Sequence, residues 1–282
     1  MERIRLYLRM IKVAHSVFAL PFALTAAFLA ADGFPTLRQA FFIILAMIGA
    51  RSAAMGMNRI IDRKIDAANP RTAEREIPAG KIKVRDAVLF SLLSFGIMVF
   101  AAYMLNPLCF RLSPIAIVIL TGYSLTKRFT VFSHVVLGIS ISGATLGAWI
   151  AVRGSVDMVI VPLTLAVIFW LAGFDVLYAL QDVEFDRRYG LFSIPRKYGV
   201  PKALLISRSF HLITFLMLLM NGIIFDLSIF YYVGMFLVGG LLLYEHSLVK
   251  KDDLSRLDIA FFNMNGYISL AVFFFTVIDL LV

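Results

Sequence analysis

The sequence contains one cysteine in 282 residues and only 18 acidic side chains. A single thiol, Cys109, leaves no partner for a disulfide and no set of thiolates for a metal. Charged residues of both signs make up 16% of the chain, too few to cover a soluble domain of this length. Also missing are a Gly-rich phosphate loop, a His-Glu-x-x-His pair and a nucleophile elbow, so the common signatures of nucleotide, zinc-peptidase and serine-hydrolase chemistry do not apply. What fills the space is hydrocarbon: 61% of residues are hydrophobic and the mean hydropathy is +0.88.

Read against the roughly 20 residues that cross a bilayer, the apolar runs predict about nine spans. Their limits are 13–31, 39–58, 87–105, 112–126, 134–152, 157–180, 203–225, 227–244 and 260–282. The formal charge of +9 is distributed by side rather than gathered into a nucleic-acid patch. One face receives Arg3, Arg5, Arg9, Lys12, the cluster from Arg51 to Arg85, Lys127, Arg128, the cluster from Arg187 to Arg208, Lys250, Lys251 and Arg256. The other keeps Arg38, Arg111 and Arg153. The positive-inside rule therefore predicts a cytoplasmic N-terminus, no nucleic-acid partner, and contact with membrane lipid. The opening has the outline of a cleaved leader. The spans that follow it, and Lys12, His15 and Pro21 within it, favour a retained first span.

In such a chain carboxylates are costly, on the order of 2.5–3.5 kcal/mol for an Asp at the bilayer centre. Yet Asp62/Asp66 and Asp182/Asp186 repeat the spacing Asp-x-x-x-Asp. On a helix of 3.6 residues per turn Arg51, Asn58, Asp62 and Asp66 share one stripe, and Asp175, Tyr178, Asp182 and Asp186 share another. Two aligned carboxylate pairs suit Mg²⁺, a hard cation that completes its shell with water and phosphate oxygens. An even number of spans separates the pairs, which predicts a parallel internal duplication whose halves each give one pair to a central cavity.

Cations accompany the acids. Pro70 is expected to end the second span and turn residues 67–86 back as a cap, with Arg71 and Arg75 pointing inward to neutralise a departing phosphate group. Arg63, Lys64, Lys81, Lys83 and Arg85 read as topology determinants. Lys127 and Arg128 sit in a very short loop, and residues 187–201 form a second cap. His134, His211 and His246 are scattered along the chain and predict no metal site. Lys12 and His15, spaced i, i+3, are candidates for reading an acceptor.

These motifs resemble the UbiA family of membrane prenyltransferases, whose signatures stand here as Asn58-x-x-x-Asp62-x-x-x-Asp66 and Asp175-x-x-Tyr178-x-x-x-Asp182-x-x-x-Asp186. Arg71-Thr72, Pro78-Ala-Gly80, the segment 123–128 and Ser193-Ile-Pro195 extend the likeness across most of the chain. The resemblance implies an all-α polytopic membrane protein, a single domain over 1–282 with nine helices ringed around a cavity. It implies transfer of a polyprenyl group from its diphosphate to a small aromatic acceptor. Asp62, Asp66, Asp182 and Asp186 would hold Mg²⁺, supported by Asn58. Arg51, Arg71, Arg75, Tyr123, Lys127 and Tyr178 would meet the diphosphate, and Asp175 would take up the ring proton or orient Tyr178. The opening from Ile11 to Pro21 resembles the bacterial 4-hydroxybenzoate polyprenyltransferase-like branch. That branch implies ubiquinone or menaquinone synthesis in a bacterial inner membrane with a cytoplasmic site; some members take a futalosine-route acid instead. Two other classes carry clustered acids. A CDP-alcohol phosphotransferase needs an Asp-Gly-x-x-Ala-Arg core that is absent, and an ion-coupled transporter would place acids nearer the midplane than these.

Overall fold

A computed structural model of the chain describes residues 2–12, 16–251, 253–257 and 259–282. Within them lie α1 (Glu2–Met10), α2 (Ser16–Ala31), α3 (Leu37–Ala68), α4 (Val84–Leu105), α5 (Pro107–Gly122), α6 (Ser133–Arg153), α7 (Val161–Tyr178), α8 (Val183–Tyr189), α9 (Ile194–Ile224), α10 (Ile229–Leu248) and α11 (Asn265–Leu281). Among the described residues the only β pairing is an isolated bridge between Lys250 and Asp253. Among the described residues seven segments are long and apolar enough to cross a bilayer: Leu37–Ala68, Val84–Leu105, Pro107–Arg128, Ser133–Arg153, Met158–Tyr189, Ile194–Ile224 and Ile229–Leu248. The first and last expected spans correspond to shorter apolar helices, Phe18–Ala31 and Asn265–Leu281. Large apolar side chains such as Leu37, Phe236 and Leu243 point outward, as lipid-facing residues do.

The chain divides into two compact units. The first comprises Met1–Ser16 and Phe41–Leu125, the second Val17–Ala40 and Thr126–Val282. This division cuts across the four-helix sets expected from a duplication, because α2 belongs with α6 to α11.

In the first unit α3 is the organising element. It continues to Ala68 rather than to residue 58, and at 1.5 Å per residue its 32 residues measure about 48 Å, longer than the roughly 30 Å of hydrocarbon. The acids therefore ride on a helical extension of an apolar span. Small residues let α4 close on α3: a Cβ at Gly49 would stand 2.7 Å from Met98 N and Ser94 O. Beyond Ala68 the chain turns over Asn69, whose carbonyl accepts from Thr72 N and Ala73 N, and Pro70 follows the helix end as expected. A helix not anticipated from the sequence, α1, covers this region. Met10 and Ile11 are buried with Ile60, Ile77, Ile82 and Ala87, and the Tyr7 ring lies 5.0 Å from that of Phe90.

In the second unit Trp170 of α7 is fully buried, in ring contact with Phe22 and Phe174. Helix α6 packs closely on α7, since a Cβ at Gly138 would stand 2.3 Å from Ile168 O. Here one expectation fails. The second acidic motif does not lie on a single α-helical face. The α-helix ends at Tyr178, passes through a 3₁₀ turn at Ala179–Asp182, and resumes as α8. At three residues per turn that segment rotates Asp182 and Asp186 away from the stripe that uniform α geometry would give. The expected cap at 187–201 is a tight structure. Gly190 ends α8 in the left-handed region, and α9 begins with a short helical turn broken at Gly199, whose φ of 78° and ψ of 164° are non-helical.

Candidate active site

The first unit places Arg51, Asn58, Asp62 and Asp66 along one continuous helix, α3. Asn58 Nδ2 donates to Asp62 Oδ2 at 3.0 Å and to Ser124 Oγ at 3.2 Å, so the turn that carries Tyr123 is pinned to the motif. Asp66 is held from the cap: Arg75 Nη1 donates to Oδ1 at 2.7 Å, and Thr72 Oγ1 donates to its backbone carbonyl at 3.0 Å. Arg59, which the sequence reading passed over, stands with Nη1 3.9 Å from Asp66 Oδ2 and gives Nε to Met10 O at 3.3 Å.

Two buried atoms on this helix hydrogen-bond to nothing among the described residues. They are Asp66 Oδ2 and Arg51 Nε. Buried polar groups left open in this way are costly unless a ligand completes them. A carboxylate oxygen of this kind suits a hard cation, and a guanidinium N–H suits a phosphate oxygen. No three His, Cys, Asp or Glu side chains among the described residues gather into a metal cage. A cation on this motif would take its other ligands from water and phosphate, the usual habit of Mg²⁺.

Lys12 lies in the turn after α1 with a positive φ of 48°, an uncommon conformation for a side-chain-bearing residue. Burial pushes its ammonium down to about 8, with Arg59, Arg75 and Arg71 adding to the effect and Glu76 opposing it. Lys12 thus belongs to a cluster of cations around the first cap that an anion would relieve. His15 falls outside the described residues.

The second unit holds Lys127, Asp175, Tyr178, Asp182 and Asp186. Asp186 is buried, and Ser193 Oγ donates to its Oδ2 at 2.7 Å. Ser193 is also the N-cap of α9, accepting from Arg196 N at 3.3 Å. The carbonyl of Lys127 accepts Phe192 N at 2.7 Å, which ties the second cap to Lys127. Asp175 Oδ2 lies 2.7 Å from His134 Nδ1, and His134 Nε2 accepts the backbone N–H of Ile194 at 3.3 Å. Asp182 is half-buried on the 3₁₀ turn.

The UbiA prenyltransferase family matches residues 19–267. The chain belongs to the UbiA prenyltransferase family. Among UbiA relatives, a 4-hydroxybenzoate octaprenyltransferase of Pseudomonas aeruginosa (strain UCBPP-PA14) is 32% identical over 260 residues, covering 91% of this chain and 86% of the relative. A protein of the same name from Vesicomyosocius okutanii subsp. Calyptogena okutanii (strain HA) is 30% identical over 250 residues, or 89% and 91% of the two chains. The apo structure of a UbiA homolog from Aeropyrum pernix K1 matches with a TM-score of 0.86 at 30% identity, covering 94% of this chain and 98% of that one. A UbiA homolog from Archaeoglobus fulgidus bound to GPP and Mg²⁺ shares the fold, with a TM-score of 0.72 at 22% identity over 96% and 99% of the chains. This UbiA protein is an integral membrane prenyltransferase with an all-helical fold.

Sequence patterns assign no site role to His134, Ser193, Ser124 or Arg59. Ser193 had a visible signal, a capping residue just before Pro195. So did His134, an ionisable side chain inside an apolar run. The histidines are also less scattered than expected. His246 Nε2 lies 3.0 Å from His211 Nδ1, and Glu245 Oε2 lies 3.6 Å from the same atom. Asn265 Nδ2 donates to Glu245 Oε1 at 3.2 Å, and His211 Nε2 lies 3.2 Å from Trp170 O. This buried polar cluster links α7, α9, α10 and α11.

Proposed function

We propose that this protein transfers a polyprenyl group from a polyprenyl diphosphate to the ring carbon of an aromatic acid such as 4-hydroxybenzoate, in quinone synthesis, at the cytoplasmic side of a bacterial inner membrane. The single observation that carries the reading is the pair of open buried atoms on α3, Asp66 Oδ2 and Arg51 Nε, one complementary to a cation and the other to a phosphate. The names of the relatives, and the GPP and Mg²⁺ bound by the Archaeoglobus fulgidus homolog, support it. In this reading nine helices with a parallel duplication ring a cavity, the N-terminus is cytoplasmic, and the two acidic motifs face a common ligand.

Asp62 and Asp66, supported by Asn58, would hold Mg²⁺ together with Asp182 and Asp186. Held there, Mg²⁺ would supply positive charge to the pyrophosphate that leaves when the allylic C–O bond breaks. Arg51, Arg71, Arg75 and Lys127 bind and orient the diphosphate, with Tyr123 and Tyr178 alongside, so that their charge lies where negative charge develops. Arg75 has two tasks. It neutralises Asp66 through Nη1, and its remaining guanidinium N–H groups meet phosphate oxygens. Lys12 and His15 stand for the acceptor's carboxylate. The new C–C bond leaves a proton on the ring carbon, and Asp175 takes it up. The apolar donor tail stays among aromatic and aliphatic side chains, away from water that would quench the carbocation.

Membranes containing the protein, given Mg²⁺, an all-trans polyprenyl diphosphate and 4-hydroxybenzoate, should yield the prenylated acid and pyrophosphate, and EDTA should abolish turnover. Asp62→Ala and Asp182→Ala should each reduce kcat by about 10²-fold or more, an effect of about 2.7 kcal/mol or more on the barrier. Full rates in both variants would overturn the assignment. A panel of aromatic acids, including the futalosine-derived one, identifies the acceptor.

A further inference from the structure

His134 is one of four histidines in the chain, and it makes two directed contacts from a buried position. Its Nε2 accepts the Ile194 N–H at 3.3 Å, which places the ring proton on Nδ1, facing Asp175 Oδ2 at 2.7 Å. A neutral imidazole has one donor and one acceptor, and both are used here. The doubly protonated ring would turn a donor against the Ile194 donor, so this network selects one tautomer.

The ring is pressed into place by packing. Gly138, one helical turn along α6, brings that helix against α7 at Ile168, two turns before Asp175. At the other end, the His134 bond satisfies the first backbone N–H of α9. Pro195 has no N–H to satisfy, and Arg196 N and Lys197 N are capped by Ser193 Oγ and Ser193 O. The start of the second cap is therefore held at adjacent residues by two acids of the second motif: Asp186 through Ser193, and Asp175 through His134. A pair serving only the core would be buried on both sides. Here the imidazole is 5% exposed while the Asp175 side chain keeps 27% exposure.

We infer that His134 is a positioning residue for prenyl transfer: it fixes the orientation of the Asp175 carboxylate through Oδ2 and makes that orientation depend on the seated second cap. The inference deepens the proposed function and rests on it for the role of Asp175. It predicts that the damage from losing His134 falls on the step that uses Asp175 rather than on capture of the diphosphate.

The test uses His134→Leu, His134→Gln, Asp175→Asn and the double variant His134→Leu/Asp175→Asn of the full chain. Steady-state kinetics are run with Mg²⁺, a polyprenyl diphosphate and 4-hydroxybenzoate, and tryptophan-fluorescence melts report folding. Glutamine supplies one donor and one acceptor, so His134→Gln should keep kcat within about threefold of wild type. His134→Leu should lower kcat by about 10²-fold, the scale of a misplaced reacting group, while the KM for diphosphate stays unchanged. In the Asp175→Asn background the same substitution should cost nothing further. A wild-type kcat in His134→Leu overturns the inference, as does a diphosphate KM raised as much as kcat falls, or a full additional loss on top of Asp175→Asn. If His134→Leu does not fold, His134→Gln decides: a native melt with kcat reduced tenfold or more overturns the inference, and near wild-type kcat supports it. A wild-type protein that prenylates no aromatic acid overturns the functional reading and this inference with it. Normal wild-type turnover with a fast His134→Leu removes the inference alone.

Discussion

Arg75→Met tests the idea that a protein cation and a metal compete for the same carboxylate. Asp66 is 5% exposed and Arg75 Nη1 lies 2.7 Å from its Oδ1. Removing one partner of a fully buried pair costs about 3–5 kcal/mol, because a charge is left without compensation. Two observations reduce that figure: the Arg75 side chain is 21% exposed, and Arg59 Nη1 remains 3.9 Å from Asp66 Oδ2. About 2 kcal/mol is a reasonable magnitude, equivalent to a fall in apparent Tm of about 4–8 °C in EDTA. Mg²⁺ then meets no competitor at Oδ1, so the same 2 kcal/mol should reappear as metal binding tightened about 30-fold. At saturating Mg²⁺ the two proteins should melt together. Cys109, the single thiol, lies on α5 in the same unit as Asp66 and is partly buried. A thiol-reactive fluorogenic dye therefore reports unfolding of the relevant unit during a thermal ramp in detergent. Equal melting of wild type and variant in EDTA, or unchanged Mg²⁺ affinity in the variant, would refute the competition.

Two further outcomes follow from packing and charge. Lys12 titrates at about 8 in the free protein, below the 10.5 of an unperturbed lysine. Its positive charge is present below that pH and lost above it, so affinity for the carboxylate of the aromatic acid should fall as pH rises through 8. From pH 7 to 9 wild type should weaken relative to Lys12→Met by about 3–10-fold in calorimetric titrations, and parallel profiles would exclude Lys12 from anion binding. In Gly138→Ala the new methyl would stand 2.3 Å from Ile168 O, a backbone atom that cannot swing aside. The α6–α7 contact should loosen by about 1–3 kcal/mol, and a wild-type melt followed by Trp170 fluorescence would contradict it.

Much of α3 could be read in advance because its signals are local. Small residues at 49, 53 and 56 recur at helical spacing, the polar stripe from Arg51 to Asp66 keeps the same period, and Pro70 marks the exit. The 3₁₀ turn at Ala179–Asp182 carries no such mark: Ala, Leu and Gln are good helix formers, and no glycine or proline flags the change of pitch. Helix α1 escaped notice because 9 residues cannot span a bilayer; its burial of Met10 and Ile11 is tertiary. The partner of His134 is 41 residues distant, and that of Glu245 is 20. Single-sequence periodicity shows which residues are out of place in an apolar helix. Pairing them requires the crossing geometry of several helices at once.

Gly199 has a mechanical consequence. Its φ of 78° and ψ of 164° lie in a region open essentially to glycine alone, and α9 kinks there. The turn that carries Ser193 and Ile194 therefore takes its direction from its own anchors, Ser193 on Asp186 and Ile194 N on His134, rather than from the long rod beyond the kink, as a universal joint frees a tool from the line of its shaft.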